Sequence, residues 1–156
     1  MTATVEQARD QIINRFLETW EADALTTGIR TADDAILFWN KPGDPPTTPD
    51  ANNNPPTWLR VAVRHYDGGQ SALVDATGRK LVTRRGMVTI SLFEASKTGG
   101  ALSDKLARIA ESAFEGQTTS GGVWFKRVRT LEFGPDGVYF RTDVWADFEY
   151  DDVLNS

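Results

Sequence analysis

Cysteine is absent from this chain. That absence excludes a disulfide framework, a thiolate metal site and a thiol nucleophile, and it leaves a fold that tolerates a reducing compartment. Histidine is nearly absent as well. His65 is the single imidazole, so an imidazole metal site would hold one such ligand, and no serine nucleophile motif or third triad member can be assigned to it. No apolar run approaches the roughly 20 residues needed to span a bilayer, and the opening MTATVEQARD has neither a basic n-region nor an apolar h-region. The expectation is a soluble, unexported protein. Positive charge is not in excess: 17 basic against 22 acidic residues give a formal net charge of −5, which argues against general affinity for phosphate backbones. Proline is confined: six of the seven lie between Asn40 and Pro56. At 156 residues the chain has the length of one ordinary domain able to bury a core without covalent staples, and a single unit over 1–156 is expected.

The first segment with a clear period is helical. Val5, Ala8, Ile12, Phe16 and Trp20 recur at three- and four-residue spacing, predicting a helix from about Thr4 to Glu21. Thr4 followed by Gln7 fits a capping box at its start. Ile13 and Leu17 widen the stripe, so the helix should lie across a sheet. Ile36–Trp39 reads as a brief strand. The proline- and asparagine-rich stretch that follows sustains no regular structure and forms an exposed loop over 40–57, either solvated or reaching a neighbouring subunit.

Alternation in WLRVAVRHY, Trp58 to Tyr66, predicts a half-buried strand with Leu59, Val61, Val63 and His65 on one side and Arg60 and Arg64 on the other. Asp67–Gly78 carries turn residues and reads as an irregular arm or short hairpin. A strand from Lys80 to Phe93 follows, in which Gly86 marks a bulge or a close backbone approach. A second helix is predicted from Gly100 to Glu115, with Leu102, Leu106, Ile109, Ala110, Ala113 and Phe114 inward and Gly116 as its stop. Val123–Phe133 and Val138–Tyr150 then read as an antiparallel pair joined through Gly134-Pro135-Asp136-Gly137. The expected class is α+β: two helices packed on a largely antiparallel or mixed sheet, in the order helix-strand-strand-strand-helix-strand-strand.

Catalytic signatures are missing from this layout, and the charged clusters point instead to contact surfaces. Arg84 and Arg85 beside Gly86, with Arg79 and Lys80 upstream, suit pairing with acidic groups on an adjacent subunit; protection of an edge strand from aggregation accounts for them equally well. Lys97 and Trp39 are further interface candidates. Among the five tryptophans, Trp20 is expected in the core and Trp39 and Trp145 partly exposed. His65 is expected to be a core or inter-subunit histidine. Thr98-Gly99-Gly100 at a helix start could attract an anion, but the lysine-serine/threonine ending of a phosphate-binding loop is absent. In the last strand, Asp143, Asp147 and Glu149 share one side with Asp151. That side is readable as a solvated face, and much more weakly as a carboxylate pair for glycoside hydrolysis or a divalent cation.

WLRVAVRHY, GRKLVTRRGMVTISLF, TGGALSDKLARIAESAFEG, GVWF and the closing VWADFEYDD, taken in this order with the first helix before them, resemble the tail terminator family of long-tailed bacteriophages, which includes the lambda minor tail protein U. The resemblance covers most of the chain from Trp58 onward. Where the family often has a proline-containing loop before the second helix, this chain has Glu94-Ala95-Ser96-Lys97-Thr98-Gly99-Gly100. The resemblance implies a structural virion protein, not an enzyme and with no cofactor or metal, assembled in the host cytoplasm. Such a protein forms a ring, typically a hexamer, at the head-proximal end of the tail tube and ends tube polymerisation. The implied partners are other copies of the chain, the major tail tube protein and a head-completion or connector protein, with DNA passing through unbound and no membrane involved. In such a ring Asp143, Asp147 and Glu149 would form an acidic lumen face that repels phosphate. Another neck component, a connector or head-closure protein, is the alternative; a small hydrolase is the remote one.

Overall fold

The computed structural model describes residues 2–49, 53–73, 78–95 and 100–154. Its first helix, α1, spans Val5–Glu21 and starts with the capping box that Thr4 and Gln7 predict. The Thr4 hydroxyl accepts from the Gln7 amide at 3.2 Å, and the Gln7 side-chain oxygen accepts from the Thr4 amide at 3.0 Å, so two of the donors left over in a first turn are satisfied. Two 3-10 turns, Ala24–Thr26 and Thr31–Asp33, lead to β1 (Ile36–Phe38). After these come β2 (Trp58–Leu73), β3 (Lys80–Ala95), α2 (Ala101–Phe114), β4 (Trp124–Asp136) and β5 (Tyr139–Leu154).

All five strands join one sheet in the order β1-β2-β3-β5-β4. Only the β1–β2 pair is parallel. This is the expected α+β class and element order, with a mixed open sheet. α1 and α2 pack side by side on one face of it. Buried Ile12, Phe16 and Trp20 from α1 and Leu106, Ala110, Ala113 and Phe114 from α2 meet Leu59, Val61, Val88, Ile90, Val144, Ala146 and Phe148 from the strands. Burying each large side chain is worth about 1.5–3 kcal/mol, which makes this layer the main stabilising contact. The Phe16 and Phe114 rings stack at 6.2 Å between the two helices. Trp20 is fully buried, and its indole N–H donates to the Ile29 carbonyl at 2.7 Å, which ties the turn after α1 back to the core. On the outer side of α1, the Gln11 amide oxygen accepts from the Thr119 hydroxyl at 2.6 Å and the Gly121 amide at 3.0 Å. The connection from α2 to β4 is held down by these bonds.

β3 and β5 run on to Ala95 and Leu154, past the predicted ends at Phe93 and Tyr150, and two further stretches differ from the sequence expectation. Of the Asp67–Gly78 segment expected as an irregular arm or short hairpin, Asp67–Leu73 is the second half of β2, paired with Lys80–Arg85 with register shifts between His65 and Asp67 and between Gln70 and Ala72, and residues 74–77 lie outside the described residues. Glycine and aspartate weaken a strand locally, yet here β3 is laddered on its other side to β5 over its whole length, and that tertiary template overrides propensity. The hairpin after β4 also turns later than predicted. Gly134, Pro135 and Asp136 remain in the strand, with a register shift between Glu132 and Gly134. Pro135 fits there because β4 is the edge of the sheet, where a missing N–H breaks no ladder. Val138, where the last strand is predicted to begin, lies in the turn and is 60% exposed.

The first register shift explains Gly86. His65 pairs with Gly86 and Asp67 with Arg85, leaving Tyr66 as the extra residue on β2. At this kink a β-carbon on Gly86 would sit 2.2 Å from the Arg64 carbonyl oxygen and 2.3 Å from the Phe148 ring. The expected close approach is therefore real, with the bulge on the neighbouring strand.

Candidate functional site

The face of the sheet away from the helices carries five of the candidates that the sequence marks: Trp39, Arg85, Asp143, Asp147 and Glu149. Strand alternation puts Arg141, Asp143, Trp145, Asp147 and Glu149 of β5 on this open face, opposite Phe93, Ser91, Thr89, Met87 and Arg85 of β3. Asp143, Asp147 and Glu149 do share a side, as the period requires, but the side is not acidic. Arg60 and Arg64 from β2, Arg85 from β3, Arg141 from β5, and Lys126, Arg127 and Arg129 from β4 surround Asp67, Asp143, Asp147 and Glu149. Asp151 continues the same side, its carboxylate accepting from the Thr83 hydroxyl at 3.1 Å, and these seven cations still outnumber the five carboxylates on this face of a chain whose net charge is −5.

Each carboxylate is engaged. Asp143 is buried and takes a two-pronged bond from Arg141, at 2.9 Å on each oxygen, while the Trp145 indole N–H donates to it at 3.1 Å. Such planar bidentate pairing is the strongest form of this contact. Asp147 lies 3.4 Å from Arg127 and 3.6 Å from Arg129. Glu149 lies 3.3 Å from Arg85 and 3.2 Å from Lys126. Guanidinium groups also stack on aromatic rings: Arg141 over Phe133 at 4.6 Å, Arg64 over Trp39 at 5.1 Å, Arg129 over Trp145 at 5.3 Å and Arg60 over Phe93 at 5.8 Å. Arg60 and Arg64 have no carboxylate partner among the described residues. They line a shallow cavity of about 250 Å³ with Arg141, Asp143 and Trp145, which is smaller than the roughly 300–1,000 Å³ of ordinary small-molecule sites.

The remaining sequence candidates fall as follows. Arg84 points to the opposite face and pairs with buried Asp152 at 2.9 Å. Arg85 pairs with Asp67 at 3.1 Å as well as with Glu149. The acidic groups that meet both arginines therefore come from the same chain. Trp39 is 53% exposed at the β1 end of the open face, whereas Trp145 is half-buried on it. Arg79 is exposed just before β3. Lys97, Thr98 and Gly99 lie outside the described residues. Among the described residues, no group of three histidine, aspartate or glutamate side chains is placed to hold a metal ion, and no helix is long and apolar enough to cross a membrane.

The sequence reading overlooked one site. The start of α2 is occupied by an internal anion, Glu94, whose buried carboxylate accepts from the Gly100 amide at 3.2 Å and from the Ser103 amide and hydroxyl at 3.0 Å each. The anion-attracting helix terminus is thus filled by the chain itself.

His65 is half-buried on the helix side, its Nε2 2.6 Å from the Tyr150 hydroxyl and its ring edge-on to Phe148 at 5.1 Å. Burial, reinforced by Arg9 and Arg84, lowers its pKa below the ordinary value, while burial pushes the Tyr150 phenol up to about 12. A histidine with a depressed folded pKa binds fewer protons folded than unfolded, so it contributes stability above pH ~6.5 that is lost as the pH falls through the folded value. Urea midpoints should therefore drop as the pH falls below ~6.5, with a shallower drop in His65→Gln; identical slopes would remove the assignment. The raised phenol works the other way and loses stability between pH ~10 and about 12.

No protein-family model and no curated protein matches this sequence. Its fold does match solved chains. One solved chain superposes with a TM-score of 0.56 at 14% identity, covering 90% of this chain and 94% of that one. Another belongs to the virion of a native gene transfer agent particle, with a TM-score of 0.50, 16% identity and coverage of 92% and 93%. At such identities the similarity speaks for the fold.

Proposed function

We propose that this chain is a structural component of a phage-like particle and, within that class, a tail terminator: a ring at the head-proximal end of the tail tube that ends its polymerisation and offers the surface for head attachment. The observation that carries the reading is the architecture shared, nearly end to end on both sides, with a chain of a gene transfer agent virion. The order of strand and helix blocks from Trp58 onward adds the terminator role. The open face supports a contact protein, because arginine and aromatic residues are the types enriched where proteins meet.

Electron microscopy of particles assembled without the chain tests this reading. Abnormally long, unattached tails are the expected result. Tails of normal length that fail to join heads would move the role to a connector, and normal joined particles would exclude both.

A further inference from the structure

We infer that the open sheet face of one copy docks on the exposed side of α1 of the next copy. The two surfaces have opposite charge and lie on opposite sides of the molecule. Arg60 and Arg64 on β2 are cations without a carboxylate partner among the described residues, set four residues apart along the same side of a strand, which separates them by about 13 Å. On α1, Glu6, Asp10 and Glu18 are exposed, follow the four-residue ridge of the helix, and form no ion pair among the described residues. Asp10 and Glu18 are eight residues apart in sequence, or about 12 Å along the axis, close to the arginine spacing. The stretch from Thr2 to Ala35 carries seven acidic residues against three arginines, so the charge missing from the open face is concentrated on the helix layer.

The exposed aromatics of this face, Trp39 at 53% under Arg64 and Phe133 at 50% under Arg141 at the β4 edge, supply the apolar area that an ion-paired contact needs to be stable. Nucleic acid is the less suitable occupant, because five carboxylates lie on the same face as the cations and the chain as a whole is acidic. Face on opposite face is a heterologous contact, and repeated, it closes into a ring or continues as a filament. The inference rests on the ring reading only in requiring that copies of the chain meet.

Sedimentation velocity of the full chain, at low salt and high concentration, is the test. Self-association is expected to weaken with salt and to fall by about tenfold or more in Arg60→Glu/Arg64→Glu and in Asp10→Arg/Glu18→Arg. The chain with all four changes should associate again. Mixing the two double variants should also restore association, with the two alternating along the assembly, because the unchanged surfaces fit each other and so do the two reversed ones. A wild-type chain that stays monomeric, or double variants that associate like the wild type, would overturn the inference. So would loss of duplex oligonucleotide binding in Arg60→Glu/Arg64→Glu with oligomeric state unchanged, since the face would then be a nucleic-acid surface. Matching thermal melts of the variants separate misfolding from lost contact. If tail length proves normal while the charge swap succeeds, the terminator role falls and the interface stands.

Discussion

Replacing Gly86 with alanine is expected to cost more than about 3 kcal/mol, at the upper end of what overpacking does to a core. The added methyl would meet the Arg64 carbonyl oxygen at 2.2 Å and the Phe148 ring at 2.3 Å. Neither can step aside cheaply. The carbonyl belongs to a backbone laddered to β3, with Arg64 opposite Met87, and Phe148 is fully buried under the helices. A urea titration of Gly86→Ala beside Gly69→Ala checks this, because a β-carbon on Gly69 meets nothing within 4 Å and should change stability by less than ~0.5 kcal/mol. Adding Phe148→Leu should restore only part of the loss, since the carbonyl contact remains. Equal midpoints for the two glycine variants would refute the close approach.

Removing the Glu94 carboxylate is the second large effect. α2 has Gly100 as its N-cap, with φ of 85° and no side-chain cap of its own, and among the described residues it is Glu94 that meets the Gly100 and Ser103 amides and the Ser103 hydroxyl. Stranding those donors in a buried place costs about 1–3 kcal/mol for each fully lost partner, softened where water enters at exposed Gly100 neighbours. Glu94→Ala is therefore expected to lose about 3 kcal/mol, and Glu94→Gln, which keeps an acceptor but gives up the charge at the helix terminus, about half as much. Chemical denaturation monitored by circular dichroism reads both. Inorganic phosphate should recover part of the Glu94→Ala loss by occupying the vacated anion site. An alanine variant as stable as the wild type would show that the carboxylate is not the cap.

These two residues also mark what could be read in advance. Gly86 was legible because a glycine inside an alternating strand has few explanations; only the identity of the strand that bulges needed three dimensions. Glu94 was not legible. Its partners lie six and nine residues away, across a loop, so no local capping pattern records the pairing. The first helix was fully readable, since its cap, stripe and core tryptophan are all encoded within its own turns. The open face shows the limit most clearly. Alternation within β5 correctly grouped Asp143, Asp147 and Glu149, but the sign of a surface depends on what neighbouring strands contribute, and the register that brings Arg129 opposite Trp145 and Lys126 opposite Asp147 is a long-range property. Arg60 and Arg64 were seen to share a side; what they stand beside was not.

The strand order has a consequence for how the chain is made. β5 is the last of the five strands to leave the ribosome, yet it fills an interior position between β3 and β4. Until it emerges, β3 keeps one open edge along its length, β4 has no partner, and the Val144–Phe148 segment of the core is missing. The β2–β3 hairpin can gather early because its contacts are local, but α1 meets α2 across 98 residues, and the sheet closes in a late step that joins β5 to β3 over separations of up to 74 residues (154 − 80), as Lys80 meets Leu154. A nascent chain of this kind waits with an unpaired hydrophobic edge exposed. A pause or break before β5 would therefore release a sticky half-sheet rather than a smaller version of the same fold.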